Sequence, residues 1–188
     1  MRLWVTGYRS YELGVFQDSD PKVLVIKDLL KRHFEQKFNE GLEWIISSGQ
    51  LGVEQWALET ALEMKKDYPE LKVSLMYPFS EFGNRWNENN QAKLQEIEQK
   101  VDFCASISKS PYQSPIQLKN FQKFMVEHTD QASLIYDPEY KGKTKYDYQL
   151  IMEYQNTHNY PVTLFDMDNL QEAAEQYSEK KICNRDNF

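Results

Sequence analysis

The sequence predicts an α/β protein built on a doubly wound, mostly parallel six-stranded sheet with helices on both faces. Six short apolar runs alternate along the 188 residues with longer segments in which apolar residues recur at helical spacing. Each short run is continuously apolar instead of alternating with polar residues, which is typical of strands buried on both faces. Such strands pair in parallel through right-handed helical crossovers, so helices cover both sides of the sheet.

The first strand is predicted at Leu3–Val5, and it leads into the polar segment Thr6–Ser10. A helix then begins at Pro21, because a proline in the first turn lacks only an N–H group that would be unpaired there anyway. Gly41 ends this helix, as glycine commonly does at a helix C-terminus. The apolar stripe of the helix recurs every four residues: Ile26, Leu30, Phe34 and Phe38.

The second strand is predicted at Leu42–Ile46 and the second helix at Val53–Lys66. The inward face of that helix is predicted to be Val53, Trp56, Ala57, Ala61 and Met64. The later elements are strands at 71–76, 102–107, 132–136 and 161–165, alternating with helices at 87–100, 117–128, 146–156 and 170–178. We interpret residues 1–179 as one domain and the charged residues 180–188 as a flexible tail.

Composition and charge narrow the class of partner. The net charge of −7 disfavours nucleic acid, because attraction to phosphates dominates nucleic-acid affinity. No apolar stretch approaches the roughly 20 residues that a membrane span needs. The 2 cysteines and 3 histidines lack the spacing of a metal site; Cys104 is predicted to be a small buried hydrophobe, and His33 a packed or solvated side chain. We expect a cytoplasmic protein without membrane insertion or bound metal, and a homo-oligomer is compatible with the sequence.

The carboxyl ends of the predicted strands are where a ligand is expected, since ligands of open α/β sheets bind beyond that edge. The loops that follow these strands are richer in polar and aromatic side chains than a simple connection requires. The candidate ligand-binding residues are Thr6, Gly7, Tyr8, Arg9, Ser48, Gly49, Gln50, Gly52, Glu54, Pro78, Phe79, Trp86, Lys109 and Tyr112.

Two interpretations remain open for the segment around Gly49 and Gly52. These glycines either let the backbone approach a phosphate at a helix N-terminus or form a tight strand-to-helix turn. Their spacing is not the G-x-G-x-x-G of a dinucleotide loop. Glu54 either complements the helix dipole or accepts hydrogen bonds from ribose hydroxyls, and it is the catalytic candidate if the protein is an enzyme.

Five segments together resemble the YpsA-like proteins of the SLOG superfamily, whose relatives include the LOG nucleosidases and the DNA-processing protein DprA. The segments are TGYRS, GLEWIISSGQLGVEQWALE, YPF, SPYQSP and LIYDPE, and the likeness extends from Arg2 to about Asp168. The resemblance implies a Rossmann-like fold with a pocket for a nucleotide, ADP-ribose or an NAD-like derivative. It also implies a link to bacterial cell-division control and division proteins as partners.

The sequence departs from its catalytic relatives at two places. LOG enzymes carry PGGxGTxxE, whereas this chain has SGQLGVE, and the Arg-Asn pair of DprA corresponds to Phe121-Gln122. We therefore predict a non-catalytic, regulatory nucleotide-binding protein. The alternatives are an N-glycosidic-bond hydrolase that uses Glu54, or a protein-interaction module that uses exposed aromatic residues such as Trp86, Tyr112 and Tyr140.

Overall fold

The computed structural model describes residues 1–185, which form one sheet, six α-helices and a short 3-10 helix at Ser10–Leu13. The strands are β1 (Arg2–Gly7), β2 (Trp44–Ser47), β3 (Lys72–Phe79), β4 (Phe103–Ser108), β5 (Gln131–Ile135) and β6 (Val162–Phe165). The helices are α1 (Pro21–Asn39), α2 (Val53–Met64), α3 (Glu88–Lys100), α4 (Ile116–His128), α5 (Lys145–Gln155) and α6 (Met167–Arg185).

The sheet has the strand order β4-β3-β2-β1-β5-β6, and every neighbouring pair is parallel. The predicted α/β fold is confirmed, with a sheet that is wholly instead of mostly parallel. The chain builds outward from β1 to β4 and then returns to place β5 on the other side of β1. The strand order therefore reverses between β1 and β5, which is where open sheets of this kind bind ligands.

Helices cover both faces of the sheet. On one face α1 packs against α2 and α6, and α2 packs against α3, whereas on the other face α4 packs against α5. The predicted stripe of α1 faces the core: Ile26, Leu30 and Phe34 are buried, and Phe38 packs on the ring of Tyr68. The whole predicted inward face of α2 is buried as well.

The boundaries differ from the predictions where tertiary contacts outweigh local sequence preference. β1 extends to Gly7, because the sequence after Val5 continues to pair with β5. α6 runs from Met167 to Arg185 instead of over 170–178. It is held against α1 by a bond from Arg32 to Gln176 at 2.5 Å and by the ion pair of Lys180 with Asp28 at 3.0 Å. Of the predicted tail, residues 180–185 are helical and 186–188 lie outside the described residues.

Two single-residue predictions are resolved by packing. His33 is packed, not solvated: its Nε2 lies 2.7 Å from the hydroxyl of Ser133, and burial lowers the pKa of the imidazole to about 4. The prediction that Cys104 is buried is wrong, since the residue is only half-buried. It lies on β4, which is an edge strand and so has a neighbouring strand on one side only.

Candidate functional site

The loops after β1 and β2 join directly at the carboxyl edge of the sheet. Arg9 and Gly52 form an antiparallel bridge. The N–H of Ser10 donates to the carbonyl of Leu51 at 3.2 Å, and the N–H of Val53 donates to the carbonyl of Tyr8 at 3.1 Å. The two segments that sequence reasoning singled out are thus a single hydrogen-bonded unit.

The glycines of this unit allow close packing within the chain. A Cβ on Gly52 would lie 2.5 Å from the carbonyl oxygen of Tyr8, and its φ of +114° is one that other residues rarely adopt. A Cβ on Gly49 would lie 2.7 Å from a methyl of Leu75, and one on Gly7 would lie 2.7 Å from Val53. At all three positions an added Cβ would meet other protein atoms, so the tight turn and its packing explain why glycine is present.

Glu54 is the acceptor that holds the unit together. Its side chain is 4% exposed. Its Oε1 accepts from the hydroxyl of Thr6 at 2.8 Å and from the guanidinium of Arg9 at 3.2 Å. Its Oε2 accepts from the hydroxyl of Ser48 and from the backbone N–H of Gln50 at 3.2 Å. Both carboxylate oxygens are satisfied by four groups from two separate segments, which is more than a helix-dipole interaction would need.

A second buried carboxyl, that of Asp147, lies on the other side of Thr6. The Thr6 hydroxyl is 2.9 Å from Oδ2 of Asp147, and Gln122 donates to Oδ1 at 2.6 Å. Asp147 is in the first turn of α5 and Gln122 is in α4. Sequence reasoning did not select Asp147, although a carboxylate in a first helical turn at the switch point was a usable signal.

The two carboxyls on either side of Thr6 compete for the single hydrogen of its hydroxyl. One hydroxyl has one hydrogen, so it can donate to Glu54 or to Asp147 but not to both. If Asp147 is protonated on Oδ2, it donates to Thr6 and Thr6 donates to Glu54, and every group is satisfied. Burial, and then the nearby charge of Glu54, raise the pKa of Asp147 to about 6. Both causes favour the neutral acid at Asp147, and that protonation state also gives each of the three side chains a hydrogen-bond partner.

Arg9 is the cation of the candidate site. Its side chain is 19% exposed, and among the described residues its guanidinium makes one hydrogen bond, to Glu54. A guanidinium has five N–H donors in a fixed plane. Glu54 therefore orients Arg9 at the edge of the sheet while most of its donors remain available to an anion.

Tyr8 lies beneath the surface. It is buried, and its hydroxyl is 3.1 Å from the carbonyl of Asp137 and 2.5 Å from that of Tyr140. The N–H of Asp137 donates back to the same hydroxyl at 3.0 Å. Tyr8 thus ties the loop after β5 to the loop after β1 at the switch point.

The other candidates lie at the ends of β3 and β4. Pro78 is buried, whereas Phe79, Trp86, Lys109 and Tyr112 are partly or well exposed. The ring of Phe79 is 5.2 Å from that of Tyr112, and Phe82 links Phe79 to Trp86 at 5.4 and 5.3 Å. Phe79, Phe82, Trp86 and Tyr112 form an aromatic surface at the same edge of the sheet as the loops after β1 and β2, and Lys109 directly follows β4.

Comparison with known proteins identifies the family of this chain. A sequence profile for the YpsA family, described as the YspA SLOG family, matches residues 3–170. The chain belongs to this family. It is 57% identical over 180 residues to a UPF0398 protein of Lactiplantibacillus plantarum, with 96% of this chain and 95% of the relative covered. It is 55% identical over 182 residues to a UPF0398 protein of Limosilactobacillus reuteri, with 96% of each chain covered.

Residues 1–185 contain neither a candidate metal cluster nor a candidate membrane-spanning helix. No group of three or more His, Cys, Asp or Glu side chains is placed to hold a metal ion in this part of the chain. None of the helices described here is both long and apolar enough to cross a membrane.

Proposed function

We propose that this YpsA-family protein is a non-catalytic, regulatory protein that binds a nucleotide or nucleotide derivative such as ADP-ribose or NAD. The proposal rests on the guanidinium of Arg9. One of its N–H groups donates to Glu54 at 3.2 Å, and its other N–H donors have no partner among the described residues. An oriented arginine at the switch edge of a parallel sheet suits a phosphate group.

The aromatic surface supports the same proposal. Phe79 and Tyr112 offer ring faces on which a base can stack, and the loop after β4 that carries Tyr112 also carries the positive charge of Lys109. Adjacent strands lie about 4.8 Å apart, so the end of β1 and the end of β4 are separated by roughly 14 Å. That separation suits an extended dinucleotide-like ligand with its phosphates near Arg9.

Binding is tested by the thermal stability of the purified protein in the presence of NAD, ADP-ribose, AMP and cyclic nucleotides. A ligand at 100 times its Kd stabilises a protein by about 2.7 kcal/mol. For a chain of this size that is roughly 5–11 °C in Tm. We expect such a shift for at least one of these ligands in the wild type and its loss in Arg9→Gln. Arg85→Gln, which removes an exposed arginine outside the unit, is the matched control.

The proposal fails if no compound in the set raises Tm at concentrations up to a few millimolar. It fails equally if Arg9→Gln and Arg85→Gln respond to the ligand as the wild type does. Tm without ligand is recorded for each variant, because Arg9→Gln also removes a partner of Glu54.

Hydrolysis of an N-glycosidic bond is the second candidate, favoured by one observation: the carboxyls of Glu54 and Asp147 flank a single hydroxyl. Against it, both oxygens of Glu54 already accept protein hydrogen bonds. Incubation with nucleoside monophosphates and NAD, followed by detection of free base, decides between turnover and binding. Free base from wild type and none from Glu54→Gln would establish the enzyme.

We propose a cytoplasmic role in cell-division control on the strength of the resemblance to YpsA-like proteins. The corresponding test is cell length in a strain that lacks the protein and is complemented with wild type, Arg9→Gln or Arg85→Gln. If the ligand acts as the signal, wild type and Arg85→Gln restore normal length and Arg9→Gln does not. Equal rescue by all three would favour a protein-interaction module that needs no ligand.

A further inference from the structure

A cavity lies beside α3, and neither Arg9 nor Glu54 is among the residues that line it. Its volume is about 460 Å³, and it opens between α3, the edge strand β4 and the loop that follows β3. This volume is within the range of small-molecule sites in proteins. None of the candidate residues chosen from the sequence is among those that line it.

The loop that forms one wall is held in a defined conformation. The side-chain amide of Gln91 donates to the carbonyls of Asn84 at 2.9 Å and Trp86 at 2.6 Å, which anchors the loop to α3. Asn84 donates to the carboxylate of Glu81 at 3.0 Å. Glu81 has a φ of +60°, a left-handed conformation that costs a non-glycine residue free energy and is enriched at functional sites.

The charged groups of the cavity are all acidic. Glu81 and Glu98 line it, and among its lining residues, all within the described chain, there is no lysine or arginine. Glu98 is exposed, and its Oε2 accepts from the hydroxyl of Tyr77 at 3.2 Å. The hydroxyl of Tyr77 and one N–H of the Asn84 side chain therefore already donate to protein acceptors, while the carboxylates retain lone pairs for further donors.

Aromatic rings complete the wall. The ring centroids of Tyr77 and Phe82 are 5.6 Å apart with an interplanar angle of 32°, and both residues line the cavity. The face of an aromatic ring attracts a cation within about 6 Å of its centroid. Aromatic ring faces and carboxylates that line one concave site both favour a cationic ligand.

The remaining reactive group of the cavity stays uncharged. Burial, and then the nearby charge of Glu98, raise the pKa of the Cys104 thiol to about 11. A thiol of this kind is a poor nucleophile and a poor metal ligand at neutral pH. The cavity is therefore suited to binding a ligand through its carboxylates and ring faces, and the thiol is not expected to react with that ligand.

We propose that this cavity binds a small organic ammonium ion, with its N–H donors on Glu98 and its positive charge against the rings of Tyr77 and Phe82. Such a site prefers the opposite charge to the nucleotide site, and it adjoins that site through Phe82, whose ring contacts Phe79 and Trp86. A ligand there contacts α3 and the loop after β3, which also carries Trp86 of the aromatic surface.

The test is NMR titration of the full protein with 1,4-diaminobutane and with its neutral analogue 1,4-butanediol. The diamine is expected to shift the amide signals of residues 80–84, 91–98 and 104–106 at millimolar concentration, and the diol is not. Glu98→Gln is expected to weaken diamine binding by roughly tenfold, since it removes the nearest unit charge. Glu96→Gln, an exposed neighbour on the same helix whose carboxylate pairs with Lys100 at 2.5 Å, is the matched control and is expected to bind as wild type.

Three results would each overturn the proposal. The first is an equal response to diamine and diol, which would mean that charge is irrelevant. The second is equal weakening by Glu98→Gln and Glu96→Gln, which would indicate loose attraction to an acidic surface. The third is no localised shift with 10 mM diamine. Because Glu98 is exposed, the variant is expected to fold, and its spectrum without ligand verifies this.

Discussion

Replacing Asp147 with asparagine tests whether Asp147 is the carboxyl that holds a proton beside Thr6. Asparagine keeps the shape of the side chain but carries no charge. Its Nδ2 can donate to the Thr6 hydroxyl, as the protonated acid does, and its Oδ1 can still accept from Gln122. The substitution therefore preserves the hydrogen bonds and removes only the ionisation.

The expected magnitude comes from the pKa of Asp147. Burial raises it from 3.8 to about 6, and each pKa unit corresponds to about 1.4 kcal/mol. The wild type thus loses about 3 kcal/mol of unfolding free energy as pH rises from about 4 to above 6, because the folded state binds the proton more tightly than the unfolded chain does. Below pH 4 both states are protonated, so the penalty is absent there.

The assay is Tm or urea denaturation of wild type and Asp147→Asn between pH 4 and pH 8. At pH 8 the variant should be more stable by about 3 kcal/mol, or roughly 6–12 °C in Tm, and near pH 4 the two should be equal. The difference between the proteins is the relevant quantity, because His33 changes the stability of both in the same range. Glu139→Gln, an exposed carboxyl, should show no such pH-dependent difference.

Parallel stability curves for wild type and Asp147→Asn across this pH range would refute the reasoning. So would a variant that is less stable than wild type at pH 8, since that would mean that the charged form of Asp147 is the one that the fold requires.

Three further predictions concern the same regions. In urea denaturation, Gly52→Ala should lower the free energy of unfolding by more than about 3 kcal/mol or prevent folding, because its Cβ would lie 2.5 Å from backbone atoms. Gly41→Ala should lower it by only about 1–2 kcal/mol, because Gly41 has a φ of +94° but no atom within 4 Å of the added Cβ. Equal losses in the two variants would contradict the packing described for Gly52. In an NMR titration the imidazole of His33 should remain neutral until the pH approaches 4. The free energy of unfolding should fall as pH drops from 6.5 toward 4, because in that range only the unfolded chain takes up the proton readily. A measured pKa near 6.5 for His33 would contradict this prediction. Tyr8→Phe should destabilise the protein by about 1–3 kcal/mol and speed hydrogen exchange of the Asp137 amide, because that N–H donates to the lost hydroxyl at 3.0 Å. An unchanged exchange rate at Asp137 would contradict the role of Tyr8 in joining the two loops.

The fold was predictable from sequence because its signals are local. Pro21 marks the start of α1, and the continuous apolar character of each strand indicates burial on both faces. The exact extent of α6 was not predictable in this way. Its polar contacts include those with Arg32 and Asp28, which lie in α1, far from it in sequence, and its own apolar periodicity is weak.

The candidate site was predictable only in part for the same reason. The positions of Arg9 and Glu54 followed from the rule that ligands bind at the carboxyl edge of the strands. The role of Glu54 did not follow, because its partners are set by the pairing of the loops after β1 and β2. Asp147 is separated from its partner Thr6 by 141 positions, and no spacing rule in a single sequence connects residues that far apart.

That separation also determines when the site can exist during synthesis of the protein. Thr6 emerges among the first residues, while Asp147 follows only after most of the chain has been made. At 5–20 residues per second, the interval between them is roughly 7–28 s. Until β5 has been made β1 lacks it as a neighbour, and until α5 has been made Glu54 has no second carboxyl across Thr6. A ribosome-bound chain that ends before α5 therefore carries Arg9 and Glu54 without Asp147, so the carboxyl pair across Thr6 is among the last parts of the site to form.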